Sequence, residues 1–314
     1  MRIAIFGSGG VGGYFGGRLA EAGVDVTFIA RGAHLETMKR KGLRVDSIKG
    51  DFLVYPVKAT DNVSEAGIMD VVISSVKAWQ VAESARMLDP MVGPHTFILT
   101  LQNGVDAPRE YVKIFGEEKV VPGLCHIISS VAGPGRVRHT GTEPRIAFGE
   151  SDNQKSARTI ELRDLFEKSG VHATIPDNIQ KALWEKFLFI ASLSGMGAVT
   201  RAPVGVLRSL PETRKMMESA MHEIYELARA SGVDLSTDAV QRTMAFVDSL
   251  PEYGTASMQR DIMAGRPSEL EAQNGAVTRL AAEKKLHTPV NEFIYQTLLP
   301  SELVARGKID YPVE

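Results

Sequence analysis

Apolar and polar positions divide this chain into two halves with different periods. The first half alternates short apolar runs with amphipathic stretches. Arg2–Phe6 reads as a strand, Tyr14–Ala22 as a helix and Val24–Ala30 as a second strand. A helix is expected over Ala33–Lys41. Leu43–Ile48 and Phe52–Ala59, joined by Lys49-Gly50-Asp51, read as a hairpin. Asp70–Val76 and Thr96–Leu101 are rich in β-branched and apolar residues, as buried parallel strands are, and Lys119–Leu124 opens another. Arg136–His139 and Arg145–Phe148 predict short strands, separated by Gly and Pro, that close the sheet edge. Beyond Pro176-Asp177 the period becomes helical. Helices are expected over Asn178–Leu193, Arg214–Ser231, Thr237–Ser249, Met258–Ala264, Glu269–Glu283 and Val290–Leu298, punctuated by Pro211, Pro251, Pro267 and Pro289. The fold class is α/β: an N-terminal Rossmann-type doubly wound sheet followed by a C-terminal all-helical domain.

The first strand breaks into Gly7-Ser8-Gly9-Gly10-Val11-Gly12, a G-x-G-x-x-G sequence between strand and helix. In that context Gly7 permits a tight turn and Gly9 lets the backbone approach a pyrophosphate. Gly12 lets helix and strand pack closely, and the helix N-terminus faces the anion. The motif predicts dinucleotide binding through Gly7, Ser8, Gly9, Gly10, Val11 and Gly12. The second strand ends Phe28-Ile29-Ala30-Arg31. No carboxylate is offered there for a ribose 2′-hydroxyl, and the Arg31 guanidinium suits a 2′-phosphate. NADP(H) is therefore expected over NAD(H). The halves are assigned as a dinucleotide-binding domain over 1–175 and a helical substrate and catalytic domain over 176–314, with chemistry expected in the cleft between them.

Composition narrows the function classes. The chain has 314 residues, 44% hydrophobic and 24% charged, with a formal net charge of −2. That balance is ordinary for a globular enzyme and gives no reason to expect a nucleic-acid or membrane partner. A single cysteine, Cys125, rules out an intrachain disulfide and suits a reducing cytoplasm. The apolar stretch Phe187–Val199 reads as too short to cross a bilayer. No metal is expected, because none of the seven histidines forms a ligand-spaced cluster. A homodimer through the helical half is compatible with the sequence, without a surface to assign it to. Met216, Met217 and Met221 read as helix packing.

One lysine stands out. On a helix over Ile179–Ser194, Lys186 falls within the arc of Ile179, Leu183, Ile190 and Leu193, while Lys181, Glu185 and Ser192 form a polar strip elsewhere. A lysine in an apolar arc either snorkels to water or faces a cavity that uses its charge, and an ammonium so placed can donate a proton. Three polar residues are candidates to share its site. Asn103 stands at the carboxyl end of a strand, though Asn103-Gly104 is also an ordinary turn pair. Ser257 precedes a helix and also reads as a cap. Glu269 reads equally as a first-turn carboxylate. Lys77 stands at another strand end, near cofactor or substrate or simply solvated.

Taken together, these residues resemble the ketopantoate reductase (2-dehydropantoate 2-reductase) family along nearly the whole chain. The resemblance rests on Gly7–Gly12, Arg31, Ser75-Val76-Lys77-Ala78-Trp79-Gln80, Gln102-Asn103-Gly104, Gly135-Arg136-Val137-Arg138-His139-Thr140-Gly141, Trp184-Glu185-Lys186, Ser257-Met258-Gln259-Arg260-Asp261 and Glu269. It implies NADPH-dependent reduction of a 2-oxo acid to a 2-hydroxy acid, with 2-dehydropantoate becoming pantoate. Lys186 would be the proton donor and Ser257 would bind the substrate carboxylate. Asn103 would place nicotinamide and substrate, Glu269 would lie near the lysine and cofactor, and Arg31 and Lys77 would contact the cofactor. The family usually has asparagines where this chain has Ile190, Ser194 and Val204. Losing those hydrogen bonds leaves open a more apolar 2-oxo acid as substrate, or a non-catalytic NADP(H)-binding regulator.

Overall fold

The computed structural model describes residues 1–310. The chain forms two compact units, Met1–Gln102 with Ala107–Ile179, and Asn103–Asp106 with Gln180 onward.

The first unit is built from β1 (Arg2–Phe6), α1 (Gly10–Glu21), β2 (Asp25–Ile29), α2 (Gly32–Lys41), β3 (Leu43–Ser47), β4 (Phe52–Val54), β5 (Lys58–Thr60), α3 (Val63–Ala66), β6 (Met69–Ser74), α4 (Val81–Met87), β7 (Val92–Thr100), α5 (Ala107–Phe115), β8 (Val120–Gly133), β9 (Arg136–Phe148), α6 (Ala157–Lys168) and β10 (His172–Thr174). The sheet runs β4-β3-β9-β8-β7-β6-β1-β2-β5, with β10 also pairing β9. From β5 through β2, β1, β6 and β7 to β8 every pairing is parallel. The central strands are buried on both faces, which is why they read as continuous apolar runs. Ile3, Ile5, Val71 and Ile73 enter one core with Phe15 and Leu19. Ala4, Phe6 and Val72 alternate into the other with Leu88 and Tyr111.

Three expectations for this half are corrected. Phe52–Ala59 is not one strand: β4 pairs antiparallel with β3, giving the expected hairpin, but a cis Tyr55–Pro56 bond breaks the run and β5 pairs with β2 instead. Arg136–His139 and Arg145–Phe148 belong to one continuous strand, β9. It lies inside the sheet between β3 and β8 rather than at the edge. Helix α1 starts at Gly10, not Tyr14.

The β4–β5 split has a geometric consequence. These strands occupy opposite ends of the sheet path, yet Val54 and Lys58 are so close in sequence that they can lie no more than about 14 Å apart. The sheet must therefore curl, and it curls around α1, which touches β1, β2, β3, β4, β8 and β9. Glycines make this enclosure possible. A Cβ on Gly13 would lie 2.7 Å from Val137, on Gly16 2.8 Å from Phe28, and on Gly17 3.1 Å from Phe52.

The second unit contains α7 (Ile179–Thr200), α8 (Val204–Ser209), α9 (Pro211–Ala230), α10 (Ala239–Ser249), α11 (Ser257–Met263), a π turn (Glu271–Gly275) running into α12 (Ala276–Glu283), and α13 (Pro289–Ala305). α7 is its axis. At 22 residues it is longer than expected, and long and apolar enough to span a membrane, but most of its apolar stretch is buried inside the fold. Ser192 is likewise fully buried, not on a solvent strip. Met217 and Met221 are core residues, whereas Met216 is 38% exposed.

Candidate active site

The glycine loop is the candidate cofactor site of the first unit. Gly7 adopts φ +101°, closed to most side chains, and a Cβ there would lie 2.7 Å from the Val76 amide nitrogen. Ser75 Oγ donates to the Gly7 carbonyl at 2.8 Å, fixing the turn against the end of β6. Around Gly9 the situation is reversed: no atom of a described residue comes within 4 Å of its Cβ position. Gly9 is the residue before the first turn of α1, and its carbonyl accepts from Gly13 N–H at 2.7 Å. A Cβ on Gly12 would lie 2.8 Å from Ile5 Cγ2 and would also collide with Gly7 carbonyl and Ser75 Oγ. Thus the outer glycines are demanded by the chain, while Gly9 is left clear on one side. This is the cradle a pyrophosphate requires, with the amide groups of the α1 N-terminus behind it. Ser8 is buried, and both its N–H and its hydroxyl go to the Ile29 carbonyl, at 3.3 and 3.0 Å. Its side chain therefore ties the loop to β2.

Arg31 is the residue before α2, and its exposed guanidinium reaches Met87 Sδ at 3.6 Å. A guanidinium at that strand end has the donor geometry to suit a 2′-phosphate. Lys77 follows β6 and its ammonium lies 5.6 Å from the Trp79 ring centroid. Beneath these strand ends a buried network joins Gln102 Nε2 to Ser74 carbonyl at 3.1 Å and Ser74 Oγ at 2.9 Å, and Ser74 Oγ to Tyr111 hydroxyl at 2.7 Å. Burial pushes the Tyr111 pKa up to about 12, so the phenol stays neutral.

A second group of candidate residues lies in the helical unit. Asn103 Nδ2 donates to Glu269 Oε2 at 2.9 Å, so these two sequence-predicted residues do meet. The segment carrying Asn103 is pinned twice more. Gly104, at φ +96°, would place a Cβ 2.5 Å from Ala272 carbonyl, and Asp106 forms an ion pair with Arg279. The turn at Asn103-Gly104 is therefore present, and it leaves the Asn103 amide bonded to Glu269. Glu269 is only 5% exposed, and it stands before the π turn rather than inside a first helical turn. The expected plain helix over Glu269–Glu283 begins irregularly: Gly275 N–H reaches back to Leu270 carbonyl, an i+5 bond. Such π turns recur at functional sites.

Lys186 sits half-buried on α7 and makes no hydrogen bond or ion pair with another described residue. Its neighbour Glu185 is paired to Arg242 at 3.0 Å. Ser257 is the first residue of α11, and the capping position is Ala256; Gln259 Oε1 accepts from the Ala256 N–H at 3.4 Å. Ser257 is thus not spent as a side-chain cap. Ile190 is half-buried on α7, and Ser194 is fully buried with no partner for its hydroxyl. Val204, 1% exposed, belongs to the hydrophobic core. Sequence reasoning missed Gln273, also fully buried, whose two amide atoms have no partner. It is flanked by the predicted Glu269 and by Asn274, but only burial identifies it.

Comparison with known proteins supplies the context for this geometry. Residues 3–153 match the model for ketopantoate reductase PanE/ApbA, and residues 178–302 match that for ketopantoate reductase PanE/ApbA, C terminal. The chain is 30% identical to the Bacillus subtilis protein described as uncharacterized oxidoreductase YkpB, covering 95% of this chain and 98% of that one. It is 29% identical to a 2-dehydropantoate 2-reductase of Mesorhizobium japonicum, over 92% of this chain and 94% of its relative. The crystal structure of 2-dehydropantoate 2-reductase from Geobacter metallireducens superposes with a TM-score of 0.90 at 31% identity, covering 96% of this chain and 100% of the other.

Proposed function

The chain belongs to the ketopantoate reductase family, and from that premise we propose that it reduces 2-dehydropantoate to pantoate with NADPH, using Lys186 as proton donor. At the family level it is an NADP-dependent oxidoreductase acting on a 2-oxo acid. What carries the finer reading is Lys186 itself: a half-buried ammonium with no partner among the described residues, in the same unit as the Asn103–Glu269 pair.

Bound NADPH supplies the hydride that adds to C2 of the oxo acid. Every other requirement falls on side chains. Negative charge grows on the substrate carbonyl oxygen as C2 is reduced. The Lys186 ammonium stabilises that charge and delivers a proton to the oxygen. Ser257, free of a capping role, offers its hydroxyl to the substrate carboxylate. Asn103 orients the reacting groups while Glu269 fixes the asparagine amide. Gly7–Gly12 hold the pyrophosphate, and Arg31 and Lys77 contact the remaining phosphate and ribose groups. The reading places the reaction in the cytoplasm, where the lone, buried Cys125 stays reduced.

Ile190 favours a second reading, a more apolar 2-oxo acid as the true substrate. NADPH absorbance followed with 2-dehydropantoate and a panel of branched 2-oxo acids separates the two by kcat/KM. Tight NADPH binding with no oxidation by any of them would leave a non-catalytic regulator. Lys186→Ala should retain NADPH binding and lose about 10²–10⁴-fold in turnover. Near wild-type turnover in that variant would remove Lys186 from the mechanism.

A further inference from the structure

Building on the reading that Gly7–Gly12 hold NADP(H), we propose that His34 is a positioning residue for the cofactor, locking the glycine loop, helix α2 and the β8–β9 turn into one rigid cradle. Helix α2 begins at Gly32, directly after Arg31, so His34 lies in its first turn. Its Nδ1 accepts the Gly135 N–H at 3.1 Å, from the turn between β8 and β9. An accepting Nδ1 leaves the proton of the neutral ring on Nε2. That Nε2 is buried and makes no hydrogen bond. The carbonyls of Ser8, in the glycine loop, and of Gly133 act on the ring in favour of its protonated form, although burial outweighs them and lowers the pKa.

Packing closes the same circuit independently. A Cβ on Gly10 would lie 2.6 Å from the Ser129 carbonyl oxygen, so β8 presses on the start of α1. Gly135 sits at φ +67°, where a Cβ would lie 2.6 Å from Thr37 Cγ2 of α2, and its carbonyl accepts Arg44 N–H at 2.9 Å. The turn therefore cannot move without moving α2, which begins at the residue after Arg31. A buried donor without an acceptor is costly. On this proposal the Ser8 carbonyl, which with that of Gly133 favours the protonated ring, is the acceptor this donor takes when a pyrophosphate seats in the loop. His34 touches neither substrate nor reacting atoms in this account; it acts through Ser8 and through the helix that follows Arg31.

The test compares the wild-type enzyme with His34→Leu and His34→Gln by fluorescence titration of NADPH and by steady-state kinetics. Failure of the wild-type protein to bind NADPH would sink the cofactor reading itself. Given wild-type binding, His34→Leu should raise the NADPH Kd by about 10-fold. Its kcat at saturating NADPH and its KM for the oxo acid should stay unchanged. His34→Gln should restore most of the affinity, because its amide supplies both an acceptor for Gly135 and a donor for Ser8. Wild-type affinity in the leucine variant overturns the proposal, as does a loss that glutamine fails to rescue. Should the leucine variant not fold, ¹⁵N resonances of the wild-type imidazoles decide: NADP⁺ should shift the His34 Nε2 signal and slow its proton exchange, and an unperturbed signal overturns the assignment.

Discussion

Gly9→Ala tests the nucleotide cradle without disturbing the protein that carries it. Gly9 has φ −76° and ψ −154°, a conformation open to alanine. Its Cβ position has no atom of a described residue within 4 Å. The substitution should therefore leave folding stability within about 0.5 kcal/mol of wild type. The added methyl group would stand on the open side of the loop, where the proposed pyrophosphate must approach. Displacing it from one amide donor forfeits about 1.5–3 kcal/mol for that charge-assisted hydrogen bond, and 1.4 kcal/mol is tenfold in Kd. NADPH affinity should fall by about 10–100-fold, read by fluorescence titration, with an unchanged thermal midpoint. Gly12→Ala is the contrasting control. Its Cβ would lie 2.8 Å from Ile5 Cγ2 and press on the Gly7 carbonyl, so overpacking should cost about 1–3 kcal/mol of stability as well as affinity. Wild-type NADPH affinity in a folded Gly9→Ala protein would refute the cradle, because nothing else in the chain explains why that side must be kept clear.

Other outcomes follow from individual residues. Arg31→Ala should weaken NADPH by at least about tenfold and leave NADH nearly unaffected, since a charged hydrogen bond to a 2′-phosphate is worth about 1.5–3 kcal/mol; equal weakening would remove the 2′-phosphate contact. His139 bonds Ser47 Oγ at 2.8 Å and Thr142 carbonyl at 2.9 Å, and burial is the main cause of its lowered pKa. The fold favours the neutral ring, so its contribution is complete above the unfolded pKa near 6.5. It declines as pH falls below that value, where the unfolded chain binds the extra proton. Urea midpoints measured from pH 8 to 5 should show that decline, and His139→Gln should flatten it; an identical slope in the variant would contradict the assignment. Gln273→Leu removes two buried atoms without partners and should raise the urea midpoint by about 1–3 kcal/mol of added stability. A lower midpoint would mean that the amide is satisfied in solution.

What could be read in the sequence followed from how local each cause is. The β1–loop–α1 unit was legible because apolar strand, glycine spacing and helix are contiguous. Its helix start was misplaced because a glycine-rich first turn has poor intrinsic propensity and is held by tertiary packing. The break at Tyr55–Pro56 was written in the sequence as a proline, but the new partner of Lys58–Thr60 lies at the far end of the sheet path, which no local pattern encodes. Strand β9 was divided by the Gly and Pro residues within it; pairing with β3, β8 and β10 carries it through them. Within the candidate site, Asn103 and Glu269 were legible as residues but not as a pair, because 166 positions separate them. His34 was illegible as more than one histidine among seven, since its surroundings come from Ser8, Gly133 and Gly135.

The substrate question contracts once the three departures from the family pattern are placed in the structure, for they are not equivalent. Val204 packs in the hydrophobic core, and its N–H is already bonded to Gly254 carbonyl at 2.9 Å. An asparagine side chain there would have to be desolvated in an apolar environment, so valine reflects a repacked core rather than a trimmed binding site. Ser194 is sealed from solvent and still carries a hydroxyl without a partner, so polar capacity persists at that level of α7 in shortened form. Only Ile190 both loses its polar group and stays partly exposed, one helical turn from Lys186. On the proposed reading, discrimination between a hydroxyl-bearing and an apolar 2-oxo acid concentrates at position 190. There a missing hydrogen-bonding group is worth about 1–3 kcal/mol, which is enough to reorder substrates without altering the proposed proton donor beside it.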